Sequence, residues 1–258
     1  MKKLFLLAPL FFILLTHSLF GEEIYLKDQI REAKSGNYLV TFQDKNFTFL
    51  HIYDRQNGYL ILEEVNVPAP RAPKDSWKEW FERGAPGNTS WTHTRLNLTT
   101  GRLEASYSFT YQRWLNIAET DHFMATLLNL KFYSIPDTTR RRIGPTPGYG
   151  REDLRPIWQP KLVMDGRAIP KVYFKAFKAR WPNDRSELAS KKIEIYLPEK
   201  RDSYLGYPTF FPYWVEVEGK LASGRIRVID SGEGVQSIQP PMPPAHRLLE
   251  CSDLSPLF

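Results

Sequence analysis

Any chemistry in this chain has to come from few residues. Its histidines are His17, His51, His93, His122 and His246, and no two of them have the spacing of a zinc-binding pair. His51 is the one that strand pattern can set beside an acid. Hairpin closure at Asn57-Gly58, whose residues tolerate the positive φ of a tight turn, puts Ile52 opposite Glu63, His51 opposite Glu64 and Leu50 opposite Val65. An imidazole with a carboxylate partner is the start of general-base chemistry, which also needs a nucleophile or substrate within reach. On a sheet surface the same two residues are an ordinary cross-strand polar pair. Glu63 and Glu64 cannot act as a joint acid pair, because neighbours on a strand point to opposite faces. The chain has no G-x-S-x-G elbow and no glycine-rich phosphate loop. Arg140-Arg141-Arg142 reads as a solvated turn or as a site for phosphate or acidic lipid heads. These patterns assign no catalytic residue, metal ligand or cofactor. Charge is modest and no single-strand-binding aromatic motif is present, so nucleic acid is not an expected partner.

The element that would position His51 is Asn37 to Pro68, three consecutive antiparallel strands. Closing the first hairpin at Lys45-Asn46 sets Phe42 opposite Phe49 and Val40 opposite His51. One face then carries Leu39, Thr41, Leu50, Ile52, Ile61, Val65 and Val67. The other carries Tyr38, Val40, Phe42, Phe47, Phe49, His51, Tyr53 and Leu62. Water would reject both faces, so a curved sheet between an aliphatic and an aromatic layer is expected. A short helix follows, with Ser76 and Glu79 at capping-box spacing and Gly84 where it should end. Trp77, Trp80 and Phe81 share one stripe of that helix. They are either core packing across the sheet or a lid over a ligand cavity. Tyr38, Phe42, Phe49, Tyr53, Trp77, Trp80 and Phe81 are therefore the candidate ligand-binding residues.

Upstream, Ile24, Leu26 and Ile30 suggest a helical stripe. Downstream, 89–98 and 102–111 form a hairpin about Thr99-Thr100-Gly101. In its second arm Leu103, Ala105, Tyr107 and Phe109 read as the buried face, and Glu104, Ser106, Ser108 and Thr110 as the wet one. A second helix is expected with Thr120 as cap and Phe123, Leu127 and Leu128 buried. Residues 136–160 are rich in Pro, Gly and Arg and read as a crossing between two halves of one sheet. Beyond it, 162–164 and a long arm 167–181 form a hairpin, 193–197 is a strand, and 210–218 pairs with 224–230. Residues 22–230 are read as a single domain. The proline-rich 231–258 is expected to lie on the surface or to be disordered.

The first 21 residues have the three parts of an export signal: Lys2-Lys3, the uncharged Leu4 to Leu15, and a less apolar end at Gly21. Twelve residues are short for a hydrocarbon core of ~30 Å, so cleavage after Gly21 and a periplasmic or secreted protein are expected, with no permanent transmembrane span. The chain's formal charge is +6. Cleavage would leave 33 basic residues against 29 acidic ones, which suits a solvated exterior more than a polyanion partner. The lone Cys251 allows no intrachain disulfide. It is a tail residue or an intermolecular link.

An exported, disulfide-free chain with a long meander at Asn37–Pro68, helices at Trp77–Phe81 and Phe123–Leu128, and a closing hairpin at 213–217 with 225–230 resembles the half-barrel carriers of bacterial lipoprotein localisation. The likeness is one of pattern, without a diagnostic motif. It implies a mainly β fold, a strongly curved antiparallel sheet or half-barrel with a few short covering helices, whose hollow takes a lipid or an acylated protein. The alternatives are a structural or partner-binding envelope module with a solid core, and a hydrolase using His51 and Glu64.

Overall fold

The computed structural model describes residues 22–56, 58–117, 122–199, 206–218 and 224–244. The expected export signal, Asn57, the Thr120 cap, the loop 219–223, His246 and Cys251 lie outside them. In chain order the elements are β1 (Glu23–Tyr25), α1 (Leu26–Ile30), β2 (Tyr38–Gln43), β3 (Asn46–Gln56), β4 (Tyr59–Pro68), α2 (Trp77–Glu82), β5 (Ser90–Asn97), β6 (Arg102–Ser108), β7 (Arg113–Trp114), α3 (His122–Asn129), β8 (Lys131–Ser134), β9 (Leu162–Met164), β10 (Arg167–Ile169), β11 (Phe174–Arg180), β12 (Lys192–Pro198), β13 (Trp214–Val217) and β14 (Gly224–Gly232).

Twelve of these strands form one sheet in the order β1-β8-β11-β12-β13-β14-β2-β3-β4-β5-β6-β7, and β9 pairs with β10 apart from it. Every neighbouring pair is antiparallel, and the sheet stays open between β1 and β7. Leu26 and Ile30 of α1 and Leu127 and Leu128 of α3 share one apolar cluster with Leu39, Leu50 and Leu96 from one half and Phe177, Ile195 and Val215 from the other. Two short helices reach both halves only if the sheet bends around them, which defines an inner face. On the outer face Tyr38, Val40, Phe49, Val65 and Val67 pack against Trp77, Trp80 and Phe81 of α2. The fold is the expected one: mainly β, strongly curved, with few short helices.

The registers differ from those expected, for local reasons. The β2–β3 turn is Asp44-Lys45, both at positive φ (47° and 73°), so Phe42 faces Phe47, Val40 faces Phe49 and Tyr38 faces His51. In β3–β4 the expected Gln56–Tyr59 pair holds. A bulge between Ile52 and Asp54 then adds one residue, so His51 faces Glu63, not Glu64, and Leu50 faces Glu64, not Val65. The slip carries Val65 and Val67 to the aromatic face and Leu62 to the aliphatic one. Phe49 and Leu50 do lie on opposite faces, as expected.

Three other elements depart from the pattern. Ile24 lies in β1, paired with Phe132, and not in a helix. Ser106 and Ser108, expected wet, are buried, while Tyr107 is half-exposed. A bulge after Arg95 shifts the β5–β6 register by one. The long arm after Gly166 breaks at Pro170-Lys171, with Lys171 at φ 60°, so β10 and β11 join different sheets. The α2 cap is as read: Ser76 accepts from the Glu79 N–H at 3.2 Å, and Gly84 ends the helix at φ 88°. No helix among the described residues is long and apolar enough to cross a membrane.

Candidate functional site

Three neighbouring strands bring one polar row into the outer core. Glu63 on β4 faces His51 on β3 and His93 on β5. The carboxylate is fully buried, His51 is 2 % exposed and His93 is fully buried. His51 Nδ1 lies 2.7 Å from Glu63 Oε2. His93 Nε2 lies 2.9 Å from Oε1 but off the line of a hydrogen bond. The Trp91 indole N–H donates to Oε1 at 2.5 Å, and the Ser237 hydroxyl donates to the same oxygen at 2.6 Å.

Burial alone would push the Glu63 carboxyl up. The hydrogen bond from His51 and the contact with His93 outweigh burial and hold it at about 2. The site is thus an ionised carboxylate sealed in aromatic packing. Phe81 meets the edge of His51 at 5.3 Å, and Tyr53 and Phe109 meet His93 at 4.3 and 4.6 Å. Burial and the Glu63 charge raise the Tyr53 phenol. His51 Nε2 and His93 Nδ1 are shielded from solvent and have no hydrogen-bond partner among the described residues. General-base attack on an outside substrate needs a lone pair that a substrate can reach, and this geometry offers none. Among the described residues no group of three His, Cys, Asp or Glu is arranged to hold a metal ion.

Beside this row lies an open cleft of about 570 Å³. Trp91, Tyr107 and Phe109 line one side, and Ile238, Pro240 and Pro241 line the other. Asn88, Gln112 and Gln239 bring amides to it, and among the described residues no Asp, Glu, Lys, Arg or His lines it. The proline-bearing wall belongs to a strap, 233–244, that crosses the outer face. Val235 is buried in the aromatic cluster, and its N–H donates to Gly36 O at 3.1 Å. Tyr53 donates to Gln239 O at 3.3 Å, and Lys78 to Glu233 O at 3.4 Å. With Ser237 on Glu63, the buried carboxylate ties the strap down. Ser231 and Gly232, expected to begin the tail, are instead buried residues of β14 paired with Leu39 and Tyr38, and 245–258 lie outside the described residues.

A second buried polar set lies where β14 meets β2. Tyr38 donates to Asp165 Oδ1 at 3.0 Å, with Asp230 Oδ2 at 3.5 Å. Burial raises the Tyr38 phenol strongly and also raises Asp230. A Cβ at Gly232 would come within 2.5 Å of the Tyr38 ring, so only glycine lets the phenol reach both acids.

The seven aromatic residues proposed from sequence do not form one lining. Phe49 stacks between Tyr38 (4.9 Å) and Phe81 (4.4 Å), and Trp80 lies 6.2 Å from it. These four are core, spending their faces on each other. Trp77 meets Phe47 at 5.1 Å. Phe42 sits under Arg227, whose guanidinium carbon is 4.7 Å from the ring. Tyr53 and Phe81 adjoin the buried polar row, Tyr53 through His93 and Phe81 through His51. Sequence reasoning missed Glu63, Trp91, His93 and Ser237. The i, i+2 spacing of Trp91 and His93 was a usable signal for one face of β5. Ser237 carried no signal.

A family model described as CT021 protein matches residues 48–170. The 2.0 Å structure of the hypothetical protein CT021 from Chlamydia trachomatis is similar in fold, with a TM-score of 0.60 and 18 % identity, over 86 % of this chain and 98 % of that one. No curated protein matches the chain.

Proposed function

We propose that the protein is an exported, non-enzymatic binding module of the cell envelope that takes an uncharged, partly apolar ligand in the outer cleft. One observation carries this reading: about 570 Å³ of open space walled by aromatic and proline side chains, with amides at its rim and no acid or base among the described residues of its lining. Such a cleft buries apolar surface and orients a ligand through a few neutral hydrogen bonds. The apolar moiety expected from sequence therefore moves from the Tyr38–Phe49–Phe81 stack, which leaves no room, to Tyr107 and Phe109. The sealing of His51, Glu63 and His93 supports a binding role over a hydrolytic one.

Of the chain's seven tryptophans, Trp91 is the one in the described cleft wall, so the ligand-dependent part of the emission reads occupancy. Titration with a monoacylglycerol and with a fatty acid of equal chain length should give saturable binding of the first and at least about tenfold weaker binding of the second, since no cation among the described residues meets the carboxylate. Tyr107→Ala with Phe109→Ala should weaken the monoacylglycerol by about tenfold or more. Equal binding of both lipids, or binding untouched by the double variant, would remove the cleft reading. A solid-cored partner-binding module is the second reading, favoured by the filled Tyr38–Phe49–Phe81 stack. Absence of saturable binding with either probe selects it.

A further inference from the structure

The crossing between the two halves of the sheet is a braced projection, not a loose connection. Its legs pair at Arg142 and Ile157. Ile143 N–H donates to Pro156 O at 2.9 Å and Trp158 N–H to Arg141 O at 2.7 Å. Arg155 grips Asp153 with two bonds of 2.8 Å and reaches Gly144 O at 2.8 Å. At the root, Trp158 packs edge-on against Tyr196 (5.1 Å) and Trp214 (4.9 Å).

This ordered projection nevertheless holds large apolar side chains in water. Tyr149 is fully exposed, Leu154 is 80 % exposed and Ile143 54 %. Single exposed apolar residues are ordinary, but these three all fall between the paired legs at Arg142 and Ile157. The charges around them are unbalanced. Asp137 pairs with Arg140, and Asp153 with Arg155 and Arg142. The exposed basic residues Arg141, Arg151 and Lys161 then face one further exposed acid, Glu152.

We propose that this projection docks the protein on an anionic bilayer, with Tyr149 and Leu154 entering the headgroup layer and Arg141 and Arg151 pairing with lipid phosphates. Tyrosine suits that layer because its ring is apolar and its hydroxyl stays wet. Arginine binds phosphate through a planar fork of donors, and each basic residue near such a surface adds roughly fivefold in affinity. An apolar tip inside a positive field fits a lipid surface better than an apolar protein groove. The proposal is independent of what fills the cleft.

The test is sedimentation with vesicles of phosphatidylcholine, alone or with a third phosphatidylglycerol. The unaltered protein should bind the anionic vesicles about tenfold or more tightly than the neutral ones, and should release them as salt rises. Tyr149→Ser with Leu154→Ser, and separately Arg141→Ser with Arg151→Ser, should each cut binding about tenfold or more; the first leaves the thermal melt unchanged because Tyr149 and Leu154 are exposed, and the second is compared well below its melt because the Arg141 guanidinium also lies over the Trp158 ring at 5.1 Å. A protein that stays in solution with anionic vesicles, or that binds equally well in both double variants, overturns the assignment. Capture of a protein partner through the same four residues, without vesicle binding, overturns it too.

Discussion

Glu63 decides what the outer core can do. A buried carboxylate survives only when donors replace the water it has lost, and here His51, Trp91 and Ser237 do so while His93 lies at ion-pair distance. Folding lowers its pKa from 4.5 to about 2, so the unfolded chain binds the proton first. The stability this site contributes is complete above the unfolded value and is lost as pH falls from 4.5 towards about 2. Urea midpoints measured between pH 6 and pH 2 should fall across that window (urea is the lever because it leaves the charges in place). In Glu63→Gln the fall should be much shallower, with a lower starting stability by about 3 kcal/mol. An equally steep fall in the variant would show that other acids govern the acid limb. Asp230 runs the other way: its raised pKa favours the protonated folded form, so it opposes folding at neutral pH.

Element by element, the chain is most legible where residue chemistry forces one geometry. Ser76, Glu79 and Gly84 set both ends of α2 in sequence and in structure. The longer strands were readable from alternation, but the short β1, β7 and β8 were not, and neither was register. The β3 bulge has no glycine or proline to announce it, and one extra residue at Tyr53 was enough to turn Val65 and Leu62 over and to exchange Glu64 for Glu63. The first hairpin misled for a related reason. Its turn places Lys45 at φ 73°, a conformation that an unbranched L-residue adopts at a cost and that glycine adopts freely. Asp44-Lys45 is thus an Asp-Gly turn with the wrong second residue. Lys45→Gly should raise stability by about 0.5–1 kcal/mol in chemical denaturation, with an unchanged slope. A loss of stability would mean that the Lys45 side chain contributes more than the strain costs, because glycine keeps the carbonyl that accepts from Ala69 N–H at 2.8 Å.

At the scale of the whole molecule, a bent open sheet holds two helices inside and one outside, and a C-terminal strap closes the outer layer. The bend was legible because both faces of 37–68 are apolar, and each needed a cover. The strap was not, because a proline-rich segment with no period shows nothing of where it docks. Yet it supplies the fourth contact to Glu63 and a wall of the cleft, so stability and binding should be coupled through it. Val235→Ala with Ser237→Ala removes most of one buried side chain and one charge-assisted hydrogen bond, together about 3–4 kcal/mol. For a chain of this size that corresponds to a fall in Tm of about 10 °C. The same variant should weaken monoacylglycerol binding, although neither residue lines the cleft, because Ile238 to Pro243 would lose their anchor. A lowered Tm with unchanged affinity would make the strap a fastening alone. A strap that is a working wall of the site predicts that both quantities fall together, and that raising the temperature of the unaltered protein weakens binding before the core melts.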